Sequence, residues 1–293
     1  MIVCHLSGGL GNQLFQYATA KRLSFMHGAE LVLDLNWFEH APRNASVRVY
    51  ELWHYPITAR LATEAESRQF KRYEGRIARL LPFNKPWKAC FEKGFQFNPR
   101  VLSLPDNSYL RGYWQSHKYF EDIADILNTE LVPNEPLSEP DRNVASSIHN
   151  VNKNAVAVHV RRADYVNIKS ASDFHGVCST DYYHSAFEKI SEQVEEPQFF
   201  VFSDDMEWVE NNINFPGGVT YVSHNSAATA FQDLRLMSLC THKVIANSSF
   251  SWWGAWLQEN DVCASGMVIA PKKWFAKSSV SVQGRFPDSW MLI

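Results

Sequence analysis

The feature that most constrains this chain is a regular alternation of short apolar runs with helical segments after residue 150. The apolar runs have the length of strands, and the segments between them carry apolar residues at helical spacing. The runs cover residues 155–160, 198–202, 219–222, 243–246 and 267–270. Short strands of this kind, buried on both faces, are typical of a parallel sheet covered by helices. The second half of the chain is therefore predicted to be an α/β domain.

The N-terminal part begins with the same kind of unit. A strand is predicted over 2–6, a glycine turn over 7–11, a helix from Asn12 and a second strand over 30–35. This β-loop-α-β order is the start of a nucleotide-binding type of sheet. At roughly 150 residues per domain, a chain of 293 residues has room for two domains.

A proline-rich segment separates these two regions. Three prolines between positions 133 and 140 argue against a continuous helix or a central strand there. We therefore expect one domain over 1–138 and another over 139–293. Within the first domain, the charged segment 58–80 is predicted to be a solvent-facing helix, and 82–107 to be irregular.

Composition excludes several functions. A net charge of −3 gives no indication of nucleic acid or of an anionic membrane as partner. The five cysteines are scattered without a CxxC pair, which argues against disulfides and a zinc site and fits a reducing compartment. We find neither a signal peptide nor a run of about 18 apolar residues, and therefore expect a cytoplasmic protein.

Polar side chains follow three of the predicted strands in the second half. Because ligands bind outside the carboxyl ends of parallel strands, we expect these side chains to share one site. His159 lies at the end of the first strand and is followed by Arg161, Arg162 and Asp164. Asp204 and Asp205 follow the second strand, and Asn247, Ser248, Ser249 and Ser251, with the aromatic Phe250 among them, follow the fourth.

The two arginines offer fixed positive charge at the end of an apolar strand. Guanidinium groups match phosphate oxygens bidentately, so Arg161 is predicted to bind an anion and Arg162 to hold the loop. The alternative is a structural ion pair with Asp164 or Asp181. His159 is either a ligand contact or a satisfied core residue.

The stretch NSSFSWWGAW, residues 247–256, has the composition of a helix start. Serine hydroxyls and open backbone N–H groups at a helix start bind phosphate, and the alternative is an ordinary N-cap. The three tryptophans of the stretch are predicted to be core. The adjacent Asp204 and Asp205 could hold a divalent cation, but arginines are already available to neutralise a phosphate, so we expect no metal.

The N-terminal turn matches no complete phosphate-binding motif, since it lacks both the GxGxxG spacing and the Lys-Ser/Thr of a P-loop. It is either a tight turn or a loop whose glycines let the backbone approach a ligand. Its candidate residues are Gly8, Gly9, Gly11, Asn12 and Gln13.

Taken together, these motifs resemble the bacterial α-1,2-fucosyltransferases of glycosyltransferase family 11. The stretches that carry the resemblance are GGLGNQLFQYATAKRL (8–23), LRGYWQSHKYF (110–120), VAVHVRRADY (156–165), DYYHSAF (181–187), FVFSDDMEWV (200–209), DLRLMSLCTHKVIANSSFSWWGAWL (233–257) and FPDSW (286–290).

The resemblance implies a GT-B architecture, with two Rossmann-like domains facing a central cleft, the first on the acceptor side and the second binding a GDP-sugar. It implies an inverting transfer of L-fucose from GDP-β-L-fucose to O2 of a terminal β-galactose, without cofactor or metal. The acceptor would belong to a surface polysaccharide such as O-antigen, in lipid-linked form, with at most peripheral contact with the inner membrane.

The resemblance also implies roles for individual residues. Arg161 would contact the β-phosphate, His159 would lie near the nucleotide, and Asp233 would bind the guanine edge. Ser248 and Ser249 would hold the diphosphate, and the glycine-rich loop would approach fucose or acceptor. Asp164 is the candidate general base, by its position alone.

Two other functions stay open at this point. One is transfer of another GDP-linked deoxyhexose such as colitose, and the other is a lectin or nucleotide-sugar sensor. A lectin would bind free sugar and ignore GDP.

Overall fold

The computed structural model describes residues 1–39, 48–71, 88–162, 176–257, 266–277 and 280–293. The chain forms two compact units. Unit 1 comprises Met1–Leu131 and Ser281–Phe286, and unit 2 comprises Val132–Val280 and Pro287–Ile293. The described part contains no helix long and apolar enough to cross a membrane.

Unit 1 is built on a parallel sheet. Its described strands are β1 (Ile2–His5), β2 (Leu31–Asp34), β3 (Arg60–Leu61), β4 (Lys88–Phe91) and β5 (Ser108–Arg111). They run in the order β3-β2-β1-β5-β4, and each neighbouring pair is parallel. From β1 the chain winds outward through β2 to β3, and it then enters the other side of the sheet at the edge strand β4 and returns to β5 beside β1. The topological switch point, where the direction of winding changes, therefore lies between β1 and β5.

Three of the described helices of unit 1 lie in the connections between these strands, and a fourth follows β5. Its described α-helices are α1 (Leu10–His27), α2 (Asn36–Glu39), α3 (Glu64–Phe70) and α4 (Ala124–Glu130). Helix α1 follows β1 after the glycine turn and ends at Gly28, whose φ of 56° is left-handed. Glycine adopts that conformation at no steric cost, which explains why the helix stops there.

Unit 2 holds the second parallel sheet. Its described strands are β6 (Ala155–Val160), β7 (Gln198–Ser203), β8 (Gly218–Val222), β9 (His242–Val244), β10 (Val268–Ala270) and β11 (Met291–Leu292). The order β11-β10-β9-β6-β7-β8, parallel throughout, is the strand order of a Rossmann fold. Its switch point lies between β6 and β9.

Helices connect the strands of unit 2, and the sheet has an apolar layer on each face. The described helices are α5 (Glu139–Val151), α6 (Thr180–Ser191), α7 (Met206–Asn212), α8 (Ala230–Leu239) and α9 (Ser249–Trp256). Val156 and Val158 of β6 pack with Phe187 of α6 in one layer. Ala155 and Ala157 pack with other residues, among them Leu236 of α8, in the second layer. Each fully buried valine contributes roughly 1.5–3 kcal/mol relative to an exposed one.

The prediction of two Rossmann-like α/β domains is therefore confirmed. The expectation that the proline-rich segment forms neither a continuous helix nor a central strand is confirmed, since residues 131–138 belong to neither. The last of its prolines, Pro140, lies in the first turn of α5 after the N-cap Ser138, where a missing N–H costs nothing. The expectation for the charged segment was wrong. Segment 58–80 is not one helix, since β3 precedes α3, and its residues 72–80 lie outside the described chain.

Candidate functional site

The switch point of unit 2 brings the ends of β6 and β9 side by side. Val158 pairs with Val244 in the sheet, so the segments that leave the two strands begin at the same edge. One segment carries Arg161 and the other carries Ser248. The rings of His159 and Phe250 connect the two sides, with centroids 5.5 Å apart.

Arg161 is held by the neighbouring strand. Its Nη1 lies 3.0 Å from Oδ2 of Asp204, and the two side chains are 23% and 22% exposed. Val160 pairs with Ser203, so Arg161 and Asp204 are the next residues along adjacent strands. The sequence suggested Asp164 or Asp181 as the partner of an arginine here, and Asp164 lies outside the described residues.

Arg162 is held on three sides. Its backbone N–H donates to Asp204 Oδ1 at 2.8 Å, and its Nε lies 3.3 Å from Asp205 Oδ2. Its guanidinium carbon lies 3.7 Å from the centre of the Trp208 ring, a cation–π contact. Asp205 in turn caps α7 through the Trp208 N–H. Nothing in the sequence pattern singled out Trp208, although it lies one turn beyond the acidic pair.

His159 contributes a neutral ring to this edge. It is 5% exposed, and burial, followed by the charge of Arg161, lowers its pKa to about 3. Among the described residues, its Nδ1 has no hydrogen-bond partner. The Tyr183 hydroxyl donates to its backbone oxygen at 3.2 Å and fixes the end of the strand. Among the described residues at the end of β6, the fixed positive charge therefore comes from Arg161 and Arg162.

The start of α9 forms the other side of the switch point. Ser248 is the N-cap, and its Oγ accepts the Phe250 N–H at 3.3 Å. Ser249 and Phe250, the first residues of the helix, are half-buried. Ser251 is fully buried and donates to the backbone oxygens of Ala246 and Ser248.

Asn247 has its side chain engaged inside the domain. Its Nδ2 donates to the backbone oxygens of Gly176 and Trp274, both at 3.2 Å, and its Oδ1 accepts from Cys178 Sγ at 3.5 Å. Asn247 therefore fixes the backbone at the end of β9. Two of the three tryptophans of α9 are core, as predicted: Trp252 and Trp253 are fully buried, whereas Trp256 is half-buried.

Asp233 belongs to a separate polar cluster at the first turn of α8. The Asn225 amide Nδ2 donates to Asp233 Oδ1 at 2.7 Å and to Asp141 Oδ1 at 2.8 Å. His224 Nε2 lies 2.8 Å from the same oxygen of Asp141. Burial, with a smaller contribution from the Asp141 charge, raises the pKa of Asp233 to about 6. The sequence indicated Asp233 and gave no signal for the three residues that support it.

The glycine-rich loop occupies the switch point of unit 1. Gly8 has a φ of 78°, and a Cβ there would lie 2.7 Å from Asn12 Nδ2, so the turn requires glycine. Gly9 is the N-cap of α1 and Gly11 is buried in its first turn. Gln13 is fully buried and donates from Nε2 to the backbone oxygens of Gly8 and Val49.

No group of three or more metal-ligating side chains occurs among the described residues. Asp204 and Asp205, the pair considered for a cation, each face an arginine instead.

Comparison with known proteins gives the family. The model of "Glycosyl transferase family 11" matches residues 93–293. The O-antigen biosynthesis glycosyltransferase WbnK of Escherichia coli is 32% identical over 98% of both chains. An alpha-1,2-colitosyltransferase of Escherichia coli is 30% identical over 100% of this chain and 99% of the relative.

The chain is also similar, at lower sequence identity, to a human enzyme and to a solved structure. The human galactoside alpha-(1,2)-fucosyltransferase 1 is 25% identical over 92% of this chain and 69% of the relative. Among solved structures, NodZ alpha-1,6-fucosyltransferase of Bradyrhizobium, soaked with GDP-fucose, covers 88% of this chain and 92% of its own at 15% identity, with a TM-score of 0.47.

Two Rossmann-like domains with this pattern of sequence similarity define a glycosyltransferase of the GT-B type. The chain belongs to glycosyl transferase family 11, as the sequence motifs predicted, and thus to the fucosyltransferase family of enzymes.

Proposed function

We propose that this enzyme is an inverting galactoside α-1,2-fucosyltransferase. It moves L-fucose from GDP-β-L-fucose to O2 of a terminal β-galactose, in a surface glycan of the O-antigen type. Membership of family 11 and the α-1,2 linkage in two relatives' names support this function. The observation that carries it is the juxtaposition of Arg161 and the α9 start at the switch point of unit 2.

The diphosphate of the donor is proposed to bind between these two elements. A partly exposed ion pair such as Arg161–Asp204 is worth roughly 0–1 kcal/mol, so Arg161 can exchange Asp204 for a phosphate at small cost. The backbone N–H groups at the start of α9, near Ser248 and Ser249, add donors and the positive end of the helix dipole. His159, Asn247, Phe250 and Ser251 complete and support the proposed donor site.

The chemistry follows from where charge develops. The acceptor hydroxyl attacks from the face opposite the leaving GDP, and negative charge builds on the β-phosphate as the bond to fucose breaks. Once Arg161 has exchanged Asp204 for the phosphate on donor binding, its guanidinium stabilises this charge without further reorganisation. The proposed reaction therefore assigns this task to Arg161, with Arg162 and Trp208 holding the segment in place, and requires no metal and no cofactor.

The base of the nucleotide is proposed to bind at Asp233. Guanine presents N1–H and N2–H₂ side by side, a donor pair that one ionised carboxylate accepts. Asn225 fixes the orientation of that carboxylate by donating to one of its oxygens. The pKa of about 6 keeps Asp233 mostly ionised at neutral pH.

The acceptor is proposed to bind on the side of unit 1, at the loop Gly8–Gln13. Its natural form would be a lipid-linked glycan, which places the enzyme in the cytoplasm with at most peripheral contact with the inner membrane. Asp164 is kept as the proposed general base because it follows the two arginines in sequence.

A second candidate function is transfer of colitose, which lacks the 3-hydroxyl of fucose. A full-length relative carries this activity in its name. A site that hydrogen-bonds a hydroxyl discriminates strongly against the donor that lacks it, so the two functions separate in a direct competition.

The deciding experiment measures GDP release from GDP-fucose and from GDP-colitose, with and without a β-galactosyl disaccharide, in excess EDTA. Acceptor-dependent release from GDP-fucose, with NMR showing an α-linked fucose on galactose O2, supports every part of the proposal. Release only from GDP-colitose selects the second function. Release abolished by EDTA overturns metal independence, and binding of free sugar without GDP binding indicates a lectin.

A further inference from the structure

Three segments that are distant in sequence meet at the switch point of unit 1. Asn12 lies in the first turn of α1, Gln115 lies in the turn that follows β5, and Arg285 comes from Ser281–Phe286. Gln115 joins the other two: its Nε2 donates to Asn12 Oδ1 at 2.7 Å, and its Oε1 accepts from Arg285 Nη1.

Arg285 is a buried cation. Its side chain is 1% exposed, and burial lowers its pKa to about 9, so the guanidinium stays charged at neutral pH. The charge of Glu92 offsets part of this effect. A fully buried arginine is rare and costly, which suggests a specific task for this one.

The turn between Arg285 and Asn12 is held from both sides. The Glu92 carboxylate accepts the N–H groups of Tyr113 at 2.6 Å and Trp114 at 3.0 Å. On the other side, Ser116 Oγ donates to the backbone oxygen of Gly284. The backbone at Gln115 is therefore fixed, which holds its side chain between Asn12 and Arg285.

The charge of Arg285 gives this chain of amides a direction. A guanidinium only donates, so the oxygen of Gln115 must face Arg285 and its NH₂ must face Asn12. The oxygen of Asn12 then faces Gln115, and its Nδ2 lies toward Gly8, 2.7 Å from where a Cβ would stand. Asn12 is half-buried, so this amide reaches the surface of the loop.

We propose that Arg285 is a positioning residue that, through Gln115, holds the Asn12 NH₂ as a hydrogen-bond donor to a hydroxyl oxygen of the sugar acceptor. The inference takes its class of ligand, a sugar acceptor, from the proposed function, and it adds the hydrogen bond by which unit 1 recognises that acceptor. Neither Gln115 nor Arg285 was singled out by the sequence, although each lies in or beside a motif stretch.

The test uses variants that keep the size of the side chain and change which of its groups can donate a hydrogen bond. Gln115→Glu still accepts from Arg285 but no longer donates to Asn12, and Asn12→Asp loses the donor at the loop. Arg285→Lys retains a donor to Gln115, whereas Arg285→Met removes it. Gln69→Glu on the exposed face of α3 is the matched control for the added charge.

Lactose is the probe, with its dissociation constant measured by NMR titration in the absence of donor. We expect lactose binding to weaken about tenfold in Gln115→Glu, Asn12→Asp and Arg285→Met, because each variant loses one hydrogen bond. In Arg285→Lys we expect it to weaken less than about threefold. The KM for acceptor should rise in parallel, while GDP affinity and the melting temperature of Gln115→Glu stay at the values of Gln69→Glu.

Unchanged lactose binding in Gln115→Glu overturns the inference, as does an equal loss of GDP affinity, which would indicate a general structural defect. Absence of lactose binding to the unaltered enzyme also overturns it. Lactose binding that responds as expected, in an enzyme that does not turn over GDP-fucose, sustains the inference and rejects the proposed donor instead.

Discussion

Nη1 of Arg161 lies 3.0 Å from Oδ2 of Asp204, at the carboxyl ends of two neighbouring parallel strands. The pair is partly open to solvent, so each partner has access to a ligand. The nucleotide-sugar donor can contact either the Arg161 guanidinium or the Asp204 carboxylate. Substitutions at these two residues should affect binding and turnover differently in the two cases.

Arg161→Ala should lower kcat by about 10²-fold or more, because it removes a donor that stabilises charge on the leaving diphosphate. Steady-state kinetics with GDP-fucose and a β-galactosyl disaccharide measure this loss. Arg68→Ala, which breaks an exposed ion pair on α3, is the control and should leave kcat unchanged. Near-normal turnover in Arg161→Ala would remove the residue from the phosphate site.

Asp204→Asn retains an oxygen that can accept the Arg162 N–H but removes the charge beside Arg161. We expect GDP to bind severalfold more tightly, because a carboxylate no longer competes with phosphate, and kcat to fall because Arg161 loses its guide. Calorimetric titration with GDP, together with kinetics, separates the two effects. Weaker GDP binding would show instead that Asp204 itself contacts the nucleotide.

GDP affinity should fall as the pH is lowered from 7.5 to 5. Asp233 has a pKa raised to about 6, so its proton returns in this range, and a neutral carboxyl cannot accept two donors from guanine. Calorimetry across the pH range gives the profile. Asp233→Asn should bind GDP weakly at every pH, and an unaltered enzyme with a flat profile would rule out this assignment.

His159 should make the fold less stable in acid. Its pKa is about 3 in the folded state and about 6.5 in an unfolded chain, so between these values the unfolded state binds the extra proton. Stability contributed by the neutral ring is therefore present above pH 6.5 and is lost as the pH falls, by at most about 1.4 kcal/mol per pH unit. Urea unfolding at pH 5 and 7 measures this dependence. A variant His159→Gln with an equally steep dependence would contradict it.

Gly112→Ala should destabilise the protein by about 1–3 kcal/mol, because a Cβ there would lie 2.3 Å from Glu92 Cβ. Gly28→Ala is the matched control. Its Cβ would meet nothing within 4 Å, and its cost, about 1 kcal/mol, comes only from the left-handed backbone. Urea denaturation compares the two. A loss in Gly112→Ala no greater than that in Gly28→Ala would mean that Glu92 does not pack this closely against Gly112.

The central strands β6 and β7 of unit 2 could be predicted because their sequences are predominantly apolar and buried. Segment 82–107 was expected to be irregular but contains β4, an edge strand of mixed polarity, and no strand was predicted at β11, an edge strand of two residues. Neither has a hydrophobic period long enough to separate it from loop. Their strand conformation depends on the neighbour with which each one pairs.

The candidate site was predictable as far as strand ends determine it. Because ligands bind at the carboxyl ends of parallel strands, the sequence predicted that Arg161 and Ser248 lie at the same edge of the sheet. The partner of Arg161 was not predictable, because sheet register selects Asp204 while sequence proximity favours Asp164 or Asp181. Asn225 and Gln115 were missed for the same reason, since each bonds residues that are distant in sequence.

The short segment Ser281–Phe286 makes the folding of unit 1 depend on residues that are synthesised late. Most of this unit is made first, as Met1–Leu131, but the six residues that bring Arg285 are synthesised only after most of unit 2. At about 5–20 residues per second, translation delays them by roughly 7–30 s. The N-terminal domain cannot complete its core during that interval, so its final step of folding awaits the last part of the chain. A ribosome-bound or truncated product that stops at residue 280 should therefore expose this domain to proteolysis even when the C-terminal sheet has begun to form.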